Sequence, residues 1–336
     1  MIASGVVVRC AGPQDLDALL QLARSAGLGM TNLPPCADKL SALLDASAAA
    51  LAGERKAGSQ ILLVLEVAGE VVGTGCIFPS VGGDWPFYSY RIGRLRQTSQ
   101  ALGKVVENTI LTPVNDYDGS AEVGGLFVRP GLRGVAGGRL MARSRYLFMA
   151  GHRDWFGDRV VSELRGYQDT DGRSPFWEAV GQKFYGLEFK EADRISVGAG
   201  KQVIADLGPK YPIYLNLLPL EAAMAVGQFH PDGARAHALL TQEGFRFEGC
   251  IDIFDAGPTM VADIDNLRAV RDSQVGTVEA IGPCEDGVEV LACSGSAETF
   301  RAARGRVSTG EGLTLSPELA SALKVGVGDQ VRHVEF

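Results

Sequence analysis

Apolar and polar positions follow two different periods along this chain, and the switches between them mark its elements. Val6-Val7-Val8-Arg9 is a short apolar run that reads as a buried strand. Pro13 stands at the start of a helical stretch, Gln14 to Ala26, whose Leu16, Leu19, Leu20 and Leu22 share one side. Asp38 to Leu51 repeats Leu and Ala at helical spacing. Two β-branched runs follow, Ile61 to Val67 and Val71 to Phe78, joined by the hairpin signature Ala68-Gly69-Glu70. Another strand is expected near Tyr88 to Leu95, then a polar section, Gln97 to Gly119, ending in the turn residues Asn115-Asp116-Tyr117-Asp118-Gly119.

The sharpest switch lies between Ser120 and Ala150. An apolar run, Val123 to Val128, breaks at Arg129-Pro130 and gives way to a segment holding Gly131, Gly134, Gly137 and Gly138. Leu140, Met141, Ser144, Leu147 and Phe148 then fall on one helix face. The order is strand, glycine-rich turn, helix. Such a turn aims backbone N–H groups at the start of a helix, where the dipole favours an anion, so a phosphate-bearing ligand is one reading and a plain glycine-rich connection the other. A Gly-Lys-Ser/Thr ending is absent and the glycines are not set as G-x-G-x-x-G, which disfavours nucleoside triphosphates and dinucleotides. The segment Arg133-Gly134-Val135-Ala136-Gly137-Gly138 resembles the acyl-CoA loop of GNAT N-acyltransferases, Arg/Gln-x-x-Gly-x-Gly/Ala, with Ala136 in place of one glycine. That resemblance implies Arg133, Gly134, Gly137 and Gly138 as contacts of the CoA pyrophosphate. The backbone of Leu126-Phe127-Val128 would then meet the pantetheine amides.

Arg159 to Arg165 reads as a further strand, and Ser174-Pro175 as an N-cap with proline at the first helical position, leading to a strand at Phe184 to Phe189. Residues 203–264 echo this order in part, with His230-Pro231 opening a helix from Ala234 to Gln242. A helical connector, Asn266 to Gln274, precedes short alternating runs (Thr277 to Ile281, Val288 to Cys293, Gly305 to Ser308, Gln330 to Glu335) interrupted by a helix at Pro317 to Leu323. A small antiparallel barrel or sheet fits this tail. The expected class is α+β, with an acyl-CoA-binding domain over 1–200, a second α/β unit over 201–274 and a β-rich domain over 275–336.

The net charge of −8 argues against a general nucleic-acid binder. Arg129, Arg133, Arg139, Arg143 and Arg145 form a local basic group, most of which reads as a solvated helix face. Cys10, Cys36, Cys76, Cys250, Cys284 and Cys293 include no C-x-x-C pair, so neither zinc nor a dense disulfide framework is expected. With no apolar run of about 18 residues, no membrane span is expected either, and a reducing cytoplasm is the expected compartment.

Acyl transfer to an amine needs a held thioester, a neutral amine and a proton route to the departing sulfur. Of His152, His230, His237 and His333, His230 stands before a helix start, where the dipole keeps an imidazole neutral near pH 7 and able to take an amine proton and return it. The alternative is a capping or surface histidine. An amino-acid substrate calls for a carboxylate clamp and an acidic partner, for which Arg165, Glu163 and Arg91 are candidates, with Asp116 and Glu122 as further acids.

Several segments taken together resemble the arginine N-succinyltransferase family. They are Tyr88-Ser89-Tyr90-Arg91-Ile92-Gly93, Asn115-Asp116 with Gly119-Ser120-Ala121-Glu122, Leu126-Phe127-Val128, Ser144-Arg145 and Phe148-Met149-Ala150. Further along come Ser174-Pro175-Phe176-Trp177, Gln228-Phe229-His230-Pro231, Gly244-Phe245-Arg246 and Ile251 to Thr259. The resemblance implies a GNAT-type fold, succinyl-CoA as donor, and L-arginine or L-ornithine as acceptor through its α-amino group. It implies His230 as the proton-transfer residue, Leu126 as a succinyl-CoA contact, no metal, and assembly with itself or a homologous subunit. A weakly catalytic member of a subunit pair and a GNAT enzyme using another acyl-CoA are the rival readings.

Overall fold

The computed structural model describes residues 5–26, 30, 32–83, 85–131, 137–199, 202–310 and 312–336. In chain order, β1 (Val6–Cys10), α1 (Leu16–Ala26), α2 (Ala37–Leu51), β2 (Ile61–Val67) and β3 (Glu70–Phe78) come first. A long hairpin, β4 (Ser89–Ser99) and β5 (Lys104–Val114), precedes β6 (Ala121–Val128), α3 (Gly137–Gly151) and β7 (Arg159–Glu163). The helices α4 (Pro175–Ala179), α5 (Gly181–Tyr185), α6 (Phe189–Ala199) and α7 (Gln202–Leu207) follow, then β8 (Ile213–Tyr214), α8 (Leu220–Ala225) and α9 (Ala234–Glu243). The chain continues through β9 (Arg246–Asp252), β10 (Pro258–Asp263), α10 (Arg268–Arg271), β11 (Gln274–Ile281), β12 (Val288–Ser294), β13 (Arg301–Thr309), β14 (Leu313–Leu315), α11 (Pro317–Leu323) and β15 (Gln330–Glu335). The class is α+β, as expected.

Two compact units interleave along the sequence. The first comprises Met1–Ser80, Ser120–Val160 and Ala262–Phe336. Its strands β1, β2, β3 and β6 neighbour one another in that order, all antiparallel. Every residue from Ile61 to Leu65 is buried, the mark of a strand covered on both faces. Leu62 and Val64 pack with Leu19, Leu22, Leu40 and Leu44 of α1 and α2, while the alternate residue Leu65 meets α3. Gly75 makes that approach possible, since a Cβ there would lie 3.0 Å from the Met141 sulfur.

The expected hairpin turns through Ala68 and Gly69 at φ +51° and +85°, the pair of left-handed residues a two-residue turn requires. In the C-terminal part, β12, β15, β11, β14 and β13 pair in succession and β13 pairs back to β12, closing a five-stranded barrel. One of its pairs, β11 with β14, is parallel rather than antiparallel. Val278, Val290, Val307, Leu315 and Val331 fill it together with Leu319 and Leu323 of α11, and β13 continues to β1.

The second unit comprises Val81–Gly119 and Val161–Val261, with strand order β7, β10, β9, β4, β5, β8. The polar section expected after residue 97 is in fact the outer half of a ribbon, in which β4 and β5 pair from Ser89↔Val114 out to Ser99↔Lys104. Only its base has other strand neighbours among the described residues: β9 joins at Ser89 to Arg91, and β8 at Ile110 and Leu111. Phe184 to Phe189 is likewise not a strand, because helices α5 and α6 occupy that region. Ser174 caps α4 by accepting the Trp177 N–H, and Trp177 is fully buried against Phe189 and Phe254. All six cysteines are free thiols, and among the described residues no helix is long and apolar enough to cross a membrane.

Candidate active site

Strand β6, which holds the expected donor contacts Leu126 and Val128, carries an irregularity. Its pairing with β3 runs Thr74↔Phe127 and then Cys76↔Gly124, so β6 spends one residue more than β3 between these rungs. Gly125, at φ +58°, sits in this bulge, and a Cβ there would come within 2.7 Å of the Cys76 sulfur. A bulge of this kind bends its strand and leaves backbone groups outside the ladder. Leu126 is half-buried beside it, while Val128 is buried.

Helix α3 opens with Gly137 and Gly138. Gly137 is buried against Leu65, whereas Gly138 faces open space. The first turn carries no acidic side chain, so nothing there opposes an anion. Arg133 and Gly134, with Ala136, lie outside the described residues. Arg143 and Arg145 depart from the solvated helix face expected for the basic group, for α3 is buried nearly all round. The Arg145 guanidinium donates to the Gly124 carbonyl at 3.2 Å, beneath the bulge, and burial lowers its pKa. Arg143 donates to the Glu335 carbonyl at 2.9 Å.

In the second unit three segments are woven together around His230. The Arg165 carbonyl accepts the His230 N–H at 2.8 Å, Gly166 pairs antiparallel with Phe229, and the Gln228 carbonyl accepts the Tyr167 N–H at 2.9 Å. This register sets Arg165 opposite His230, and opposite residues project on the same face. The third segment is the turn from Asp252 to Gly257. Asp255 accepts from the Gly166 N–H at 2.7 Å and the Gly257 N–H at 2.9 Å, and Ala256 takes a left-handed φ of +59°. The Asp255 link is foreshadowed in the sequence only by the Asp-x-Gly spacing of residues 255–257.

His230 ends this construction as the N-cap of a single 3-10 turn, Pro231–Gly233, that leads into α9. Its Nδ1 accepts the Asp232 N–H at 3.2 Å, with the Asp232 carboxylate 3.7 Å from the same nitrogen. A neutral ring so held carries its proton on Nε2. Burial first, and the Arg165 charge second, lower the His230 pKa against an opposing effect of Asp232. The ring is therefore neutral at pH 7.

The remaining candidates are placed as follows. Arg165 is half-buried and donates to the Gln168 side-chain oxygen at 2.7 Å. Glu163, also half-buried, ends β7. Arg91 is paired with Asp116 through two contacts of 2.6 and 2.9 Å, so the expected clamp and one of the expected acids hold each other. Both are more than two-fifths exposed, where such a pair contributes little and yields readily to a competing carboxylate. His237 stacks on Phe229, and His152 lies between Phe148 and Trp155. Among the described residues no cluster of His, Cys, Asp and Glu could hold a metal ion.

Comparison with known proteins matches nearly the whole chain. The family model for the arginine N-succinyltransferase beta subunit covers residues 6–269, and the model for the C-terminal domain of that same subunit covers 274–335. The chain is 39% identical over 334 residues to the arginine N-succinyltransferase subunit beta of Pseudomonas aeruginosa, with 98% of each covered. It is 39% identical over 336 residues to an Escherichia coli arginine N-succinyltransferase, again with 98% of each covered. The solved structure of the arginine/ornithine succinyltransferase subunit AI from Pseudomonas aeruginosa superposes with a TM-score of 0.89 at 35% identity, over 99% of both chains.

Proposed function

Because this chain belongs to the arginine N-succinyltransferase beta subunit family, we propose that it moves the succinyl group of succinyl-CoA to the α-amino group of L-arginine or L-ornithine. The observation that carries this reading is a likeness running end to end, through the glycine turn, the His230 turn and the C-terminal barrel. In this reading Leu126, Val128 and the residues from Arg133 to Gly138 meet the donor, the last group at its pyrophosphate. His230 handles the proton, Arg165 receives a carboxylate, and Glu163 and Arg91 are further acceptor contacts.

The reaction joins the amine nitrogen to the thioester carbon and breaks the carbon–sulfur bond, so one proton must leave nitrogen and one must reach sulfur. With Nδ1 occupied by the Asp232 N–H, His230 works through Nε2 alone. The ring hydrogen-bonds to charge developing in the tetrahedral intermediate, gives its Nε2 proton to the departing sulfur and takes the amine proton at the same nitrogen as the intermediate collapses. It ends as it began. The two transfers are concerted, so no imidazolate forms, and only a neutral ring can take the amine proton.

The neutral ring is the working form, which fixes the sign of the pH dependence. Its pKa lies below the usual 6.5, so kcat at saturating substrate should stay level down to that pH and fall on an acid limb beneath it. In Arg165→Met the removed cation no longer disfavours the imidazolium, and the limb should move to higher pH. A limb unmoved by this substitution would show that Arg165 does not act on the ring.

The central test is CoA release by the purified chain with succinyl-CoA or acetyl-CoA against arginine, ornithine and lysine. Turnover fastest with succinyl-CoA and arginine or ornithine, and slow but measurable with the other pairs, is the expected result. Relatives bearing subunit names favour a second reading, in which this chain needs a partner, a homologous subunit or another copy of itself. Turnover that begins only when a paired subunit is added would support it. Six free thiols agree with a reducing cytoplasm, where we place the reaction.

A further inference from the structure

We infer that Gln168 is a positioning residue: its side-chain oxygen fixes the Arg165 guanidinium, on the face that Arg165 shares with His230, so that the remaining guanidinium donors receive a carboxylate. The inference rests on the succinyltransferase reading and goes beyond it by naming what aims the clamp.

A guanidinium only donates hydrogen bonds. The 2.7 Å contact from Arg165 Nη2 therefore requires the amide oxygen of Gln168 to face Arg165, which turns the amide nitrogen the other way. That nitrogen is buried and has no partner among the described residues, in a side chain only 5% exposed. A buried donor left unsatisfied costs stability, and a methionine would fill the same volume without that cost. Packing alone thus does not account for an amide at this place. Its contact with Arg165 does.

The surrounding backbone is already fixed. Hydrogen bonds lock His230 to Arg165 and Tyr167 to Gln228, and Asp255 holds the Gly166 N–H between them. What these bonds leave undetermined is the long Arg165 side chain, whose rotamer freedom would otherwise have to be lost on binding. One of its donors spent on Gln168 leaves the rest of the planar fork in a set orientation, suited to the paired oxygens of a carboxylate. Two carboxylates occur in the proposed reaction: the α-carboxylate of the acceptor and the free end of the succinyl group.

Kinetics of Gln168→Met with four substrate pairs, succinyl-CoA or acetyl-CoA against arginine or argininamide, test the role and separate the two sources. Loss of one charge-assisted hydrogen bond should raise KM for the carboxylate-bearing substrate roughly tenfold while leaving its carboxylate-free analogue unaffected. A rise confined to arginine assigns the acceptor carboxylate, and one confined to succinyl-CoA assigns the donor. Equal losses across all four pairs overturn the proposal. In an Arg165→Met background, Gln168→Met should add nothing, because the residue acts through the missing guanidinium, whereas additive losses would overturn it.

Gln168→Glu guards against a folding defect, since it keeps an oxygen on Arg165 but neutralises the clamp. It should give the same selective rise, and an unchanged KM counts against the role. Absence of turnover by the unsubstituted protein with every pair would sink the succinyltransferase reading itself, an outcome distinct from failure of Gln168.

Discussion

His230→Ala should lower kcat by about 10²- to 10⁴-fold, the range that a positioned proton donor supplies, while leaving the Kd of succinyl-CoA within about twofold. The split follows from where the residue stands. Its Nδ1 is spent on the Asp232 N–H, its backbone N–H on Arg165, and its ring is held for proton transfer rather than for donor binding. Kinetics at saturating substrates, with donor affinity measured separately by calorimetry, would check it. A variant that retains parental kcat would remove His230 from the chemistry. One that loses donor affinity in proportion to kcat would recast it as a binding residue.

The second large effect is expected at a residue with no side chain at all. In Gly166→Ala the added Cβ would lie 2.2 Å from the Asp255 carbonyl oxygen and 2.8 Å from its carbon, both backbone atoms that no rotamer change can move. A Cβ added at Gly257 would be as tightly enclosed, 2.0 Å from the Leu164 carbonyl oxygen. Segment 164–168 must therefore shift away from the 252–257 turn, carrying with it the Arg165 carbonyl that holds His230. A displacement of about 1 Å in such an arrangement costs on the order of 10²-fold in rate, so kcat should fall at least about a hundredfold. In the core clusters of this unit, Ala256 and Phe254 adjoin Asp255, whereas Phe176, Trp177 and Ile251 lie on other elements. Far-UV circular dichroism should accordingly remain native. Parental kcat in Gly166→Ala would mean that the contact between these segments does not set the histidine.

Much of this arrangement is legible in the sequence because its signals are local. The turn at Ala68-Gly69, the N-cap at Ser174, the helix over Pro317–Leu323 and the strand over Gln330–Glu335 each follow from neighbouring residues, and they stand where expected. The outer half of β5 escaped because its residues, Lys104 to Glu107, are all exposed and display no apolar alternation. The burial of Arg143 and Arg145 escaped for another reason. Helix α3 lies among residues distant in sequence, and Arg143 finds its acceptor at Glu335.

At the candidate site, the helix-start position of His230 pointed to a neutral imidazole, but the tautomer came only with the Asp232 N–H. Gln168 gave no signal of its own. A glutamine near an arginine is commonplace, and its significance lies in a buried nitrogen that only the packed structure reveals.

The outer half of the β4–β5 ribbon has a consequence for how the protein behaves at high concentration. Beyond Gly93 both of its edges lack strand partners among the described residues, and open edges invite pairing with any extended chain, including a neighbouring copy. Arg94, Arg96 and Lys104 sit exposed along this stretch, with Glu107 as the opposing charge. Repulsion between like charges and the cost of stripping water from them keep two such ribbons from zipping together. The arginines and the lysine thus offset the exposed Leu102, Val105 and Val106 of the same ribbon, which alone would favour such pairing.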